Sequence, residues 1–82
     1  MTSAIKIFYA VLNGLRDNNI AFTDLRKLLE SLGFQYRING SHYIYWREGI
    51  EEIINIQEDN SKAKSYQVKQ VRKIITKYNL SI

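Results

Sequence analysis

His42 is the only histidine in the chain, and it stands at the end of the string Arg37-Ile38-Asn39-Gly40-Ser41-His42. An imidazole titrates near pH ~6.5, so it can take or give a proton at neutral pH. Where the substrate brings its own nucleophile, one such group with nearby cations could remove its proton and meet the charge. The general acid is then left to a Lys, Arg-bound water, Tyr or solvent. RNA brings such a nucleophile in its 2′-hydroxyl. Cleavage then needs that proton removed, charge met on the phosphoryl oxygens, and the leaving 5′-oxygen protonated. The alternative is a histidine that fills a strand position with no role. A zinc site built on two histidines is excluded. The absence of cysteine excludes disulfides, thiolate metal sites and thiol nucleophiles. Ser41 is not read as a nucleophile, because neighbours in a strand leave on opposite faces and cannot share a proton. Glu51-Glu52 and Glu58-Asp59 are adjacent pairs of the solubilising kind, so neither a metal nor another cofactor is expected.

Charge points to the same class of substrate. Residues 1–60 carry a net −2 and residues 61–82 a net +6, within a total of +4. Lys62, Lys64, Lys69, Arg72 and Lys73 are the candidates for phosphate contact at that basic end. A solvated helix face, or a partner protein with an acidic surface, would give the same pattern. Residues 48–59 hold five acids and no base, so a phosphate cradle cannot extend over the whole surface. Tyr36, Tyr43, Tyr45 and Trp46 could stack on unpaired bases. Most of them are expected in the core, with Trp46 the one that shares a face with His42.

The elements that must position these groups follow from periodicity. Residues 4–16 read as a helix with Ser3 as cap and Ala4, Ile5, Phe8, Val11, Leu12 and Leu15 on one arc. A second helix is expected over residues 24–32, capped by Thr23 and closed by Gly33. Residues 34–38 and 42–46 alternate as strands around Asn39-Gly40, a strong hairpin signal. A two-residue turn there pairs Ile38 with Ser41, Arg37 with His42, and Tyr36 with Tyr43. Phe34, Tyr36, Ile38, Tyr43 and Tyr45 then form the core face. Gln35, Arg37, His42, Ile44 and Trp46 form the open one. Residues 52–57 make a third strand, 58–64 a polar loop, and 66–78 a closing helix capped by Ser65. The fold class is therefore α+β. It is a three-stranded antiparallel sheet in the order α-α-β-β-β-α, with helices on one face and the other left for solvent or ligand.

Eighty-two residues make a single domain, 1–82, and leave no room for a large cavity, so catalysis must act on a large substrate at an open surface. No apolar run approaches the ~20 residues of a membrane span, and the first residues lack a signal-peptide layout. The expected location is cytoplasmic.

Three segments carry a family resemblance. Residues 23–34 (Thr23-Asp24-Leu25 through Gly33-Phe34), the Gly40-Ser41-His42 tripeptide in its hairpin, and residues 66–75 (Tyr66-Gln67-Val68 through Ile74-Ile75) resemble HicA-type toxins of bacterial toxin–antitoxin pairs. The likeness implies a fold like double-stranded RNA-binding domains, with a core over residues 21–82 and residues 1–20 as an added helix. It implies a metal-independent endoribonuclease acting on mRNA, with His42 catalytic and Arg37, Gly40, Ser41, Trp46 and the basic residues above on the RNA side. The implied partner is a HicB-type antitoxin. The alternative is a non-catalytic RNA- or protein-binding module on the same fold. Two positions depart from the family pattern. Tyr43 stands where many relatives have a second histidine, and Ile54-Asn55-Ile56-Gln57 stands where many have a proline-and-histidine stretch.

Overall fold

The computed structural model describes residues 3–82. Helix α1 spans Ala4–Asn13, and Ser3 Oγ caps it by accepting from Lys6 N at 3.3 Å. The helix stops three residues short of expectation because Gly14 turns left-handed at φ 71° and closes it. Leu15 therefore lies beyond the helix and is 84% exposed. The buried stripe is Ile7, Ala10 and Val11, and Ile5 points outward. The expected arc is thus shifted: Val11 is fully buried and Phe8 and Leu12 pack half-buried against the core, whereas Ile5 and Leu15 fall outside it. Most sides of α1 are apolar, so two arcs satisfy the same period and only packing selects one.

Helix α2 runs over Phe22–Ser31 from an Ala21 cap without a side-chain bond, which places Thr23 inside the first turn rather than at the cap. The exposed amide of Phe22 donates instead to Ser61 O at 2.9 Å. Gly33 closes the helix at φ 88°, as expected.

Four strands follow, β1 (Gln35–Asn39), β2 (His42–Arg47), β3 (Ile50–Asp59) and β4 (Lys62–Ala63), antiparallel in the order β1-β2-β3-β4. The α-α-β-β-β-α order holds, but the sheet gains a short fourth strand inside the segment expected to be a polar loop. Asn60 and Ser61 both take positive φ (51° and 68°), the requirement of a type I′ hairpin turn, without the usual glycine. Strand β4 ties the sheet to the chain before α2 through Ala63 N to Ile20 O at 2.9 Å.

The first hairpin also differs in register. Asn39 pairs with His42, Ile38 with Tyr43, Arg37 with Ile44, Tyr36 with Tyr45, and Gln35 with Trp46. The turn residues are Gly40-Ser41, and only Gly40 needs positive φ (63°), which is the type II′ preference. Moving the turn by one residue slips the pairing by two. A slip of two keeps every side chain on its face.

Helix α3, Ser65–Tyr78, starts one residue earlier than expected, with Lys64 N donating to Gln67 Oε1 at 3.2 Å. Leu25, Leu28 and Leu29 of α2, Val68, Val71, Ile74 and Ile75 of α3, and Ile7 and Val11 of α1 share one cluster with Tyr45, Ile54 and Ile56 of the sheet. At the rim of this core the Tyr45 hydroxyl accepts from Arg26 Nε at 2.9 Å and donates to Glu30 Oε2 at 3.0 Å. Burial pushes that phenol up to about 12.

Arg72 bridges α3 to the chain after α1. Its Nη1 and Nη2 donate to the two carboxylate oxygens of Asp17 at 2.9 and 3.0 Å, and Nη1 also reaches Val11 O at 3.1 Å. The hydrogen bond from Arg72 holds the Asp17 carboxyl below the usual carboxylate range.

Candidate functional site

His42 opens β2 directly after the Gly40-Ser41 turn, and its side chain is exposed. The alternation of β2 sends Tyr43 and Tyr45 to the helical layer and His42 and Ile44 to the uncovered face. Strand β3 repeats the rule. Ile54 and Ile56 are fully buried, while Asn55 and Gln57 leave on the side of His42.

Two hydrogen bonds organise this face. His42 Nδ1 lies 3.0 Å from Asn55 Oδ1. A carbonyl oxygen only accepts, so in the neutral ring this contact selects the tautomer with the proton on Nδ1 and the lone pair on Nε2. Nε2 makes no hydrogen bond among the described residues. Beside it, Gln57 Nε2 donates to Ser41 Oγ at 2.9 Å, which fixes the turn that delivers the histidine. Ser41 thus holds the loop, and the structure gives it no proton-transfer contact with His42.

The start of α3 supplies a wall. His42, Asn55, Gln57, Tyr66 and Gln67 line a cleft of about 260 Å³. The Tyr66 ring is 61% exposed, and Gln67 is buried beneath it. Tyr66 also borders a second cleft of about 540 Å³, lined by Lys62, Lys64 and Asp59 among others. Tyr66 thus lines both the cleft of His42 and the cleft of Lys62 and Lys64.

The remaining candidates separate. Arg37 is on the open face, but opposite Ile44 rather than His42, which is paired with Asn39. Gly40 forms the turn. Trp46 is on the open face opposite Gln35, and the register between β2 and β3 breaks around it, between Tyr45 and Arg47. Lys69 and Lys73 are exposed on α3. Arg72 points back into the molecule against Asp17. Tyr36 and Tyr43 lie on the helical side, with the Arg26 guanidinium over both rings at 5.1 and 4.3 Å.

Asn55, Gln57, Tyr66 and Gln67 were not foreseen. The alternation Ile54-Asn55-Ile56-Gln57 carries the signal for the first two, since it assigns both amides to the face opposite the core. Nothing in the period of α3 marks Tyr66.

Among the described residues no group of three or more His, Asp or Glu side chains is arranged to hold a metal ion, and no helix is long and apolar enough to cross a membrane. The family model described as HicA toxin of bacterial toxin-antitoxin matches residues 22–76. That span runs from the first residue of α2 into the last turn of α3 and leaves α1 outside. Neither a curated protein nor a solved structure matches the chain.

Proposed function

Because the chain belongs to the HicA toxin family of bacterial toxin–antitoxin systems, we propose that it is an endoribonuclease that cleaves mRNA with His42 as general acid/base. The observation that carries the reading is the imidazole itself. It is exposed, its Nδ1–H is held by Asn55, and its Nε2 is left to accept a proton.

In the proposed step the RNA 2′-hydroxyl attacks the adjacent phosphorus and gives its proton to His42 Nε2. The bond to the 5′-oxygen breaks, and that oxygen takes a proton from water or a neighbouring cation. The products are a cyclic phosphate and a free 5′-hydroxyl. No metal is required, since the nucleophile and the base are both in place. Arg37 on the open face and Lys62 and Lys64 beyond Tyr66 supply positive charge toward the phosphates. Lys69 and Lys73 extend it along α3. Arg72 is assigned to the Asp17 pair instead.

The toxin–antitoxin family implies a neutralising partner, and we assign that part to a HicB-type protein that covers the His42 face. An mRNA substrate would put both in the cytoplasm. General acid–base catalysis contributes roughly 10²–10⁴-fold. His42→Ala is therefore expected to fold normally, bind RNA, and cleave it at least about 100-fold more slowly with EDTA present. Full toxicity and undiminished cleavage in that variant would remove the proposal. Protection of His42 from diethylpyrocarbonate is expected in the complex, and unchanged modification there would place the antitoxin elsewhere.

A further inference from the structure

The cleft beside His42 has features that proton transfer does not use. It holds about 260 Å³, below the ~300–1,000 Å³ of pockets that enclose drug-sized ligands. It therefore fits one flat ring system rather than a length of chain. One wall is the Tyr66 ring, exposed although it is a large aromatic at the start of a helix. The lining is otherwise polar without being charged, with Asn55 and Gln57 at alternate positions of β3. Each of these amides spends one end on organising the site, Asn55 Oδ1 on His42 and Gln57 Nε2 on Ser41. The other ends, Asn55 Nδ2 and Gln57 Oε1, have no partner among the described residues. A free donor and a free acceptor thus line the same cleft as an exposed aromatic side chain, beside the imidazole.

We propose that this cleft is a subsite for one unpaired nucleobase next to the scissile phosphate. The base stacks on Tyr66 and turns its edge toward the amides of Asn55 and Gln57. The inference rests on RNA being the substrate, and it adds how the strand is seated. An aromatic ring offers a stacking surface to any base, whereas amides read the edge. Charge beyond Tyr66 sets the direction of the strand. Lys62 and Lys64 line the next cleft, and Asp59 is the acid among them. A strand with its base in the first cleft carries its neighbouring phosphate over Tyr66 toward the two lysines. Tyr66 is then a base-stacking residue rather than a proton donor.

The test uses binding, so that it is independent of turnover. In the His42→Ala background, a short unpaired oligoribonucleotide containing 2-aminopurine is titrated against the full chain and against its Tyr66→Ala and Tyr66→Phe variants. Tyr66→Ala is expected to weaken binding by about 5- to 150-fold, the stacking of one base converted at 1.36 kcal/mol per tenfold. It should also relieve the quenching of the probe. Tyr66→Phe keeps both the affinity and the quenching. An oligonucleotide with an abasic position at the subsite binds the parent and Tyr66→Ala alike. Equal binding by Tyr66→Ala, a loss in Tyr66→Phe as large as in Tyr66→Ala, or no binding by the parent would overturn the subsite. Failure of the nuclease reading shows separately, as RNA that is bound but not cut when His42 is intact. Circular dichroism confirms that Tyr66→Ala, altered at an exposed ring, keeps its fold.

Discussion

Replacing Asn55 tests whether the imidazole works in the orientation described. Asn55→Ala removes the acceptor 3.0 Å from His42 Nδ1. The ring can then rotate, and either nitrogen can carry the proton. A neutral hydrogen bond contributes a net ~0.5–1.5 kcal/mol. Converted at 1.36 kcal/mol per tenfold in rate, this is a loss of about 2- to 13-fold in single-turnover cleavage. Stability should hardly change, because Asn55 is exposed on β3. Asn55→Asp separates orientation from charge. The carboxylate still accepts from Nδ1, and its negative charge favours the imidazolium. The group acting as base then gives up its proton less readily, so the rising limb of the pH–rate profile moves to higher pH. The assay is single-turnover cleavage of an end-labelled RNA over a pH series, with melting curves as control. Cleavage by Asn55→Ala at the parent rate would show that the hydrogen bond is incidental. An unmoved limb in Asn55→Asp would show that Nδ1 does not face that side chain during the reaction.

Three further outcomes are expected. Tyr45, with its hydroxyl pushed up to about 12 by burial, should give a phenolate step near that pH in a spectrophotometric titration, lost in Tyr45→Phe. Folding favours its neutral form, so its contribution is complete below about pH 10, the unfolded value, and is lost as pH climbs toward about 12. A titration unchanged in Tyr45→Phe above about pH 11 would contradict this. Arg72→Met leaves the Asp17 carboxylate, 13% exposed, without its bidentate partner. It should cost about 1–3 kcal/mol by urea denaturation, against about 0.5 or less for Lys69→Ala; equal losses would remove the distinction. Lys62→Ala should lower the salt dependence of RNA binding by about one phosphate contact, read as the slope of log affinity against log salt, and an unchanged slope would take Lys62 off the RNA path.

Face assignment was the most legible part of the site. The hairpin was read with its turn one residue early, yet His42, Ile44 and Trp46 still came out opposite Tyr43 and Tyr45, because a two-residue slip preserves alternation. Strand β4 was hidden because Asn60-Ser61 lacks the glycine that announces a turn of positive φ. The phase of α1 was ambiguous for a different reason. Ile5 and Leu15 are as apolar as Ile7 and Val11, and only the packing of α2 and α3 leaves the first two outside while Phe8 and Leu12 sit half-buried at the edge of the core. Arg72 was grouped with the basic residues of α3, since its carboxylate partner lies 55 positions away and no local pattern connects them. Tyr66 escaped notice because its part in the site comes from where α3 begins in space rather than from its own helix.

The Arg72 fork ties the family-matched segment to residues that precede it. Nη1 rests on Val11 O, and a Cβ at Gly14 would sit 3.1 Å from the same nitrogen. Trimming the chain to the span from α2 onward would strip the guanidinium of its three acceptor atoms and open the apolar surface that Ile7 and Val11 now cover. A fragment cut to the family-matched residues 22–76 is therefore expected to melt below the full chain, since the leading helix and Asp17 supply contacts that α3 would lose.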